Sequence, residues 1–105
     1  MKQMSVTELR DRRKAGEKII LLDVREQNEV DYCKIAGSIH IPMNQVPMRM
    51  NELNPQDVIV VHCHVGGRSM QVCGFLESKG YADVSNLHGG IKEWSRQIDP
   101  TVPSY

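Results

Sequence analysis

Three short stretches that read as strands constrain this chain more than any other feature. They are Ile19-Ile20-Leu21-Leu22, Val58-Ile59-Val60-Val61 and Val84-Ser85-Asn86-Leu87. The first two are continuous, β-branched or aliphatic, and too short to be helices of their own. Such runs read as strands buried on both faces, which is the pattern of a parallel sheet. Segments with helical spacing separate them. Ser5-Val6-Thr7-Glu8 reads as a capping box that opens a first helix running to about Ala15, with Gly16 ending it. A short helix is expected over Asn28 to Cys33, with Asn28 as its cap. Ser38 to Ile41 reads as a short strand closed by Pro42. Gln45 to Leu53 reads as helical, since Pro47 is tolerated in a first turn. A helix from Ser69 to Lys79 and a last one from Ile91 to Ile98 complete the chain. The tail from Asp99 to Tyr105 is expected to be extended. Strands alternating with helices predict an α/β fold, with a mainly parallel sheet covered by helices on both faces.

The chain's 105 residues predict one domain, its core over about residues 5–98. A chain of this size buries roughly two thirds of its unfolded surface, enough for one core without staples. Lys plus Arg equals Asp plus Glu at 13 each, so net charge signals neither nucleic acid nor an anionic membrane. No apolar run approaches the ~20 residues of a membrane span. No apolar signal region follows Met1, and a cytoplasmic location is the expectation. Cys33, Cys63 and Cys73 are an odd set without framework spacing, which suits free thiols in a reducing compartment.

One stretch carries chemistry. Cys63 follows the second apolar run and is followed by His64-Val65-Gly66-Gly67-Arg68-Ser69. A cysteine there stands at the C-terminal end of a buried strand and at the mouth of a helix N-terminus, where open α/β folds place reactive groups. The glycines let successive N–H groups turn inward around the sulfur. A helix dipole and a nearby cation can bring a thiol pKa from ~8.5 into the range ~3.5–7.5. The expectation is a thiolate nucleophile at Cys63. Three roles are open to Arg68: it faces a substrate, it braces the loop through Asp23 or Glu26, or it points outward as a solvated helix-start charge. Ser69 reads as the cap of the following helix or as a donor to the sulfur. His64 reads as an attractor of anions or as an exposed loop side chain. Cys73 reads as core, and Cys33 as unreactive. The grouping of His62, Cys63, His64, Cys73 and His88 lacks the paired spacing of a zinc site, so neither metal nor cofactor is expected. Trp94 reads as a core anchor. Met43, Met48, Met50 and Met70 read as gap fillers or as the rim of a pocket.

Four motifs in order carry a family resemblance. They are Leu22-Asp23-Val24-Arg25-Glu26, Ile35-Ala36-Gly37-Ser38-Ile39-His40-Ile41-Pro42, the Cys63 to Ser69 stretch, and Leu87-His88-Gly89-Gly90-Ile91-Lys92-Glu93-Trp94. From about Ser5 to Trp94 the chain resembles the rhodanese homology domain, a family of sulfurtransferases and their relatives. The resemblance implies a five-stranded, mostly parallel sheet and a persulfide on Cys63 in a two-step transfer. It gives Asp23 and Arg25 pocket-shaping or bracing roles beside the loop residues His64, Val65, Gly66, Gly67, Arg68 and Ser69, with a structural ion pair as the alternative. It implies a small sulfur-containing anion such as thiosulfate, or a protein persulfide, as donor. A thiol, cyanide or a sulfur-carrier protein would be the acceptor. Lys34 stands where family members usually carry His, a position expected to be peripheral. Two other readings compete. A thiolate phosphatase or arsenate reductase resembles a Cys-x5-Arg loop, one residue longer than the Cys-x4-Arg here. A non-catalytic binding module of the same family typically lacks the cysteine that this chain keeps.

Overall fold

The computed structural model describes residues 2–105. The second apolar run lies at the centre of the fold. Val58–His62 pairs on one side with Ile19–Asp23 and on the other with Asp83–Leu87, all in parallel. Two short edge strands complete a five-stranded parallel sheet. Numbered along the chain, the strands are β1 (Lys2–Met4), β2 (Ile19–Asp23), β3 (Ile39–His40), β4 (Val58–His62) and β5 (Asp83–Leu87), in the spatial order β1-β5-β4-β2-β3. The helices are α1 (Val6–Lys14), α2 (Gln27–Tyr32), the single turn α3 (Val46–Arg49), α4 (Gly67–Ser78) and α5 (Gly90–Gln97).

Strand periodicity splits the core in two. Leu22, Ile59, Val61 and Val84 point to one face, where they meet Val46 of α3 and Val72, Cys73 and Leu76 of α4. Leu21, Val60 and Leu87 point to the other, where they meet Val6 and Leu9 of α1 and Ile91 and Trp94 of α5. Each fully buried aliphatic side chain contributes roughly 1.5–3 kcal/mol, so the two layers hold the sheet from both sides. Trp94 is a core anchor, as its spacing from Ile91 predicts.

The differences from the sequence reading are local. β1 has a single buried residue, Met4, and no alternation that would mark it. Ser5 caps α1 as expected, its hydroxyl accepting the Glu8 N–H at 3.1 Å. The cap of α2 is Glu26 rather than Asn28. Glu26 and Glu29 form a reciprocal capping box, with Glu29 Oε1 accepting the Glu26 N–H at 3.0 Å. The helix expected over Gln45 to Leu53 is broken into 3₁₀, α and 3₁₀ turns, because Pro47 interrupts the donor series. Met43 and Met50 pack against the core, while Met48 stays exposed. The tail is not simply extended. Asp99 to Val102 closes a turn, Val102 docks in the second core layer, and Ser95 Oγ donates to the Val102 carbonyl. Among the described residues no helix is long and apolar enough to cross a membrane.

Candidate functional site

The C-terminal ends of β2, β4 and β5 place Asp23, Cys63 and His88 on one side of the sheet. Across the sheet, the chain's direction of travel changes at β4, the position where open α/β sheets place their sites, and Cys63 stands just past that strand end. The residue is 1% exposed, and Gly66 donates its N–H to Sγ at 3.1 Å. Ser69 Oγ lies 3.4 Å from the same sulfur. Burial pushes the thiol up. The Ser69 hydroxyl and the N–H groups of Ser69, Gly66 and Arg68 outweigh it and leave Cys63 below the ordinary thiol range. By contrast Cys73, buried in the core without such donors, is pushed up to about 12. Cys33 is buried in the second core layer, with the Arg25 guanidinium 3.9 Å from its sulfur.

The loop has this shape for two backbone reasons. Gly66 has φ +127°, a region that side chains rarely adopt, and it is the N-cap of α4. Behind the loop, the first turn of α5 holds the carbonyls. Ile91 N–H donates to Cys63 O, and Lys92 N–H donates to His64 O, each at 3.1 Å. With its carbonyls held from behind, the loop turns its amides toward the sulfur. Gly90 makes the approach possible, since a Cβ there would stand 2.4 Å from the His64 carbonyl oxygen.

Arg68 does not face the sulfur. Its guanidinium forms two bonds to the Glu29 carboxylate, at 2.6 and 2.9 Å, so it braces the loop against α2. The partner is Glu29, not Asp23 or Glu26. The Arg68 bonds first, with the Glu26 N–H and the Tyr105 hydroxyl, hold the Glu29 carboxyl down at about 2 against a smaller opposing effect of burial. Ser69 is not a helix cap. It lies in the first turn of α4, with its hydroxyl within reach of Gly66 O at 3.2 Å and of Asn86 Oδ1 on β5. Asn86 in turn donates to Gln3 of β1 at 3.1 Å.

Val65 is exposed on the loop, and Gly67 begins α4. The His64 ring is neither open nor turned to the sulfur. It stacks on Tyr105 with centroids 4.0 Å apart, and its Nε2 lies 2.6 Å from the Tyr105 carbonyl oxygen.

Asp23 and Arg25 form a fully buried ion pair with bonds of 2.8 to 3.2 Å. Burial would raise the Asp23 carboxyl, but the bonds from Arg25 hold it below its usual range. Arg25 also donates to Cys33 O at 2.7 Å and to the Tyr105 hydroxyl at 2.9 Å. The pair thus ties β2 to the end of α2 and to the tail, and the structural ion pair is what the geometry contains. His62 lies between Asp23 and Cys63. Burial lowers its pKa, and its Nε2 stands 3.6 Å from Asp23 Oδ2 without a hydrogen bond.

Five contributors escaped the sequence reading: Glu29, Asn86, Tyr105, and Ile91 and Lys92 through their carbonyl-holding amides. Asn86 carried a signal, a buried polar residue inside an apolar strand. Glu29 carried another, an acid three residues beyond a helix cap.

A model of the rhodanese-like domain matches residues 5–97. The chain is similar to the putative sulfurtransferase YtwF of Bacillus subtilis, 35% identical over 100 residues that cover 95% of this chain and 96% of that one. It is 42% identical over 89 residues to the Rhodanese-like/PpiC domain-containing protein 12, chloroplastic, of Arabidopsis thaliana. That match covers 81% of this chain but only 30% of the longer plant protein. A crystal structure of a rhodanese-like domain protein from Staphylococcus aureus superposes with a TM-score of 0.87 at 28% identity, covering 100% of this chain and 99% of that one. With this sheet, this loop and a family match over nearly its whole length, the chain belongs to the rhodanese-like domain family.

Proposed function

We propose that the chain is a sulfurtransferase in which Cys63 carries the moving sulfur as a persulfide. One observation carries the reading: a buried thiol, lowered in pKa, inside a ring of N–H donors from Gly66, Arg68 and Ser69. The ring fits a sulfur anion and stabilises it both as thiolate and as persulfide. The sulfurtransferase name of a relative of matching length supports it.

In the first step the Cys63 thiolate attacks the outer sulfur of a sulfane donor. A new S–S bond forms at Sγ, the donor's own sulfur bond breaks, and the bonding pair leaves with the donor. Thiosulfate would release sulfite; a persulfide would release a thiolate. In the second step a thiol, cyanide or a sulfur-carrier protein attacks the outer sulfur and regenerates the Cys63 thiolate. No net oxidation occurs and no cofactor is needed. Gly66, Gly67 and Ser69 shape and supply the donors, Arg68 braces them, and Asp23 and Arg25 anchor the strand end and α2. Arg68 is turned to Glu29, which speaks against an oxyanion-hydrolysing thiolate.

The test is incubation with a sulfane donor followed by mass spectrometry. The expected result is a gain of one sulfur atom on the Cys63 peptide, removed by reductant and absent from Cys63→Ala. No gain with any sulfane donor would instead support a binding module.

A further inference from the structure

We propose that Glu29 sets the donor preference of this loop: by holding Arg68 in a two-bonded ion pair it withdraws the loop's permanent cation, so the site takes an alkyl persulfide in preference to dianionic thiosulfate. The proposal rests on the persulfide reading above and deepens it. Cys63 is 1% exposed, so only the transferred sulfur of a donor enters the ring, and the rest of the donor stays at the mouth. For thiosulfate that remainder is a sulfonate with charge to place. For an alkyl persulfide it is a carbon chain carrying a neutral or singly charged sulfur.

The mouth suits the second. Val65, two residues after Cys63 on the loop, is 55% exposed, and Met70, in the first turn of α4, is 43% exposed; both are apolar. The charged groups are already spent on each other. Arg68 reaches both carboxylate oxygens of Glu29. Glu29 is itself fixed by the Glu26 N–H at 3.0 Å and the Tyr105 hydroxyl at 2.8 Å, so it is not free to swing away and release the cation. His64, the loop's other chargeable group, is covered by the Tyr105 ring. A dianion approaching this mouth meets a neutralised pair where an unpaired Arg68 would help to draw it in. In balanced form the favoured step is Cys63–S⁻ plus R–S–SH giving Cys63–S–SH plus R–S⁻.

The experiment measures second-order rate constants for persulfide formation on Cys63 with three probes: thiosulfate, mercaptoethanol persulfide, and a neutral peptide carrying one cysteine persulfide. The protein as it stands should react with at least one persulfide about tenfold or more faster than with thiosulfate. Reaction with both persulfides points to a small-molecule source, and reaction with the peptide alone to a polypeptide source; either supports the proposal. Glu29→Gln should raise the thiosulfate rate about tenfold relative to the persulfide rates and make it fall with added salt. Should loss of the Glu29 carboxylate unfold α2, Val65→Lys offers a second route. It adds an unpaired cation at an exposed position and should raise thiosulfate use in the same salt-sensitive way. Thiosulfate reacting as fast as the persulfides in the unaltered protein overturns the proposal, as does a folded Glu29→Gln or Val65→Lys protein with an unchanged thiosulfate rate relative to the persulfide rates. Failure of every probe to modify Cys63 would overturn the sulfurtransferase reading itself.

Discussion

The backbone N–H of Ile91 donates to the carbonyl of Cys63 at 3.1 Å, so the helix after β5 is the rear wall of the loop that carries the sulfur. Gly90 is the hinge point of that wall. Its φ is +60°, and an added Cβ would lie 2.4 Å from the His64 carbonyl oxygen and 2.6 Å from that of Cys63, both backbone atoms that cannot step aside. Gly90→Ala should therefore cost about 2 kcal/mol or more of stability. It should also slow persulfide formation by more than Gly74→Ala, where a Cβ meets nothing within 4 Å. Chemical denaturation and single-turnover persulfidation measure the two effects.

Ser69 makes a different contribution, because it acts on the protonation state of the sulfur. Its single proton has three acceptors within reach: Cys63 Sγ, Gly66 O and Asn86 Oδ1. Ionisation of Cys63 favours the sulfur. The rate of alkylation by iodoacetamide should rise with pH through a midpoint below the ordinary ~8.5. Ser69→Ala should move that midpoint up by about one unit, equivalent to about 1.4 kcal/mol. A hydroxyl that merely filled space would shift the melting temperature and leave the midpoint where it was.

The acid side of the stability profile should fall in two stages. His62 is held neutral by burial, so the unfolded chain takes up a proton first as pH drops below its ordinary ~6.5, and stability declines from there. Glu29 is held down at about 2, chiefly by Arg68, so its contribution is intact above the ordinary ~4.3 and is lost as pH falls toward 2. His62→Gln should flatten the first stage, and Glu29→Gln should shrink the second. Urea unfolding at half-unit pH intervals distinguishes them, and an unchanged slope in either variant would contradict its assignment.

Asp23→Ala should be the most damaging of the polar changes. It leaves the Arg25 guanidinium, 0% exposed, without its counter-charge, for which a cost of about 3–5 kcal/mol is expected. Asp23→Asn, which keeps one acceptor for Arg25, should cost less. Denaturation midpoints in urea, with an unchanged m value, would establish the order.

What could be read from the sequence follows the range of the interactions. β2 and β4 were legible because their apolar runs are written in consecutive residues, and α1 and α4 because glycines end them. The buried thiol and its donors were legible because Cys63, its glycines and Ser69 are neighbours in the chain. β1 was not, because Lys2–Met4 earns its strand conformation from pairing with β5 rather than from any alternation of its own. The partner of Arg68 lies 39 residues away and that of His64 lies 41 residues away, and no local pattern announces either. The two readings of Ser69, cap or donor to the sulfur, stayed open in the sequence for a related reason. Its residue type suits a cap, but Gly66 already turns the chain, which leaves the hydroxyl free to face inward.

β4 is the one strand bonded along its length to long neighbours on both sides, and its middle residues are sealed by helices above and below. Amide protons there are expected to exchange only when most of the molecule opens. The sulfur therefore hangs from the strand whose opening costs most, so local opening at the sheet edges leaves the geometry at Cys63 in place.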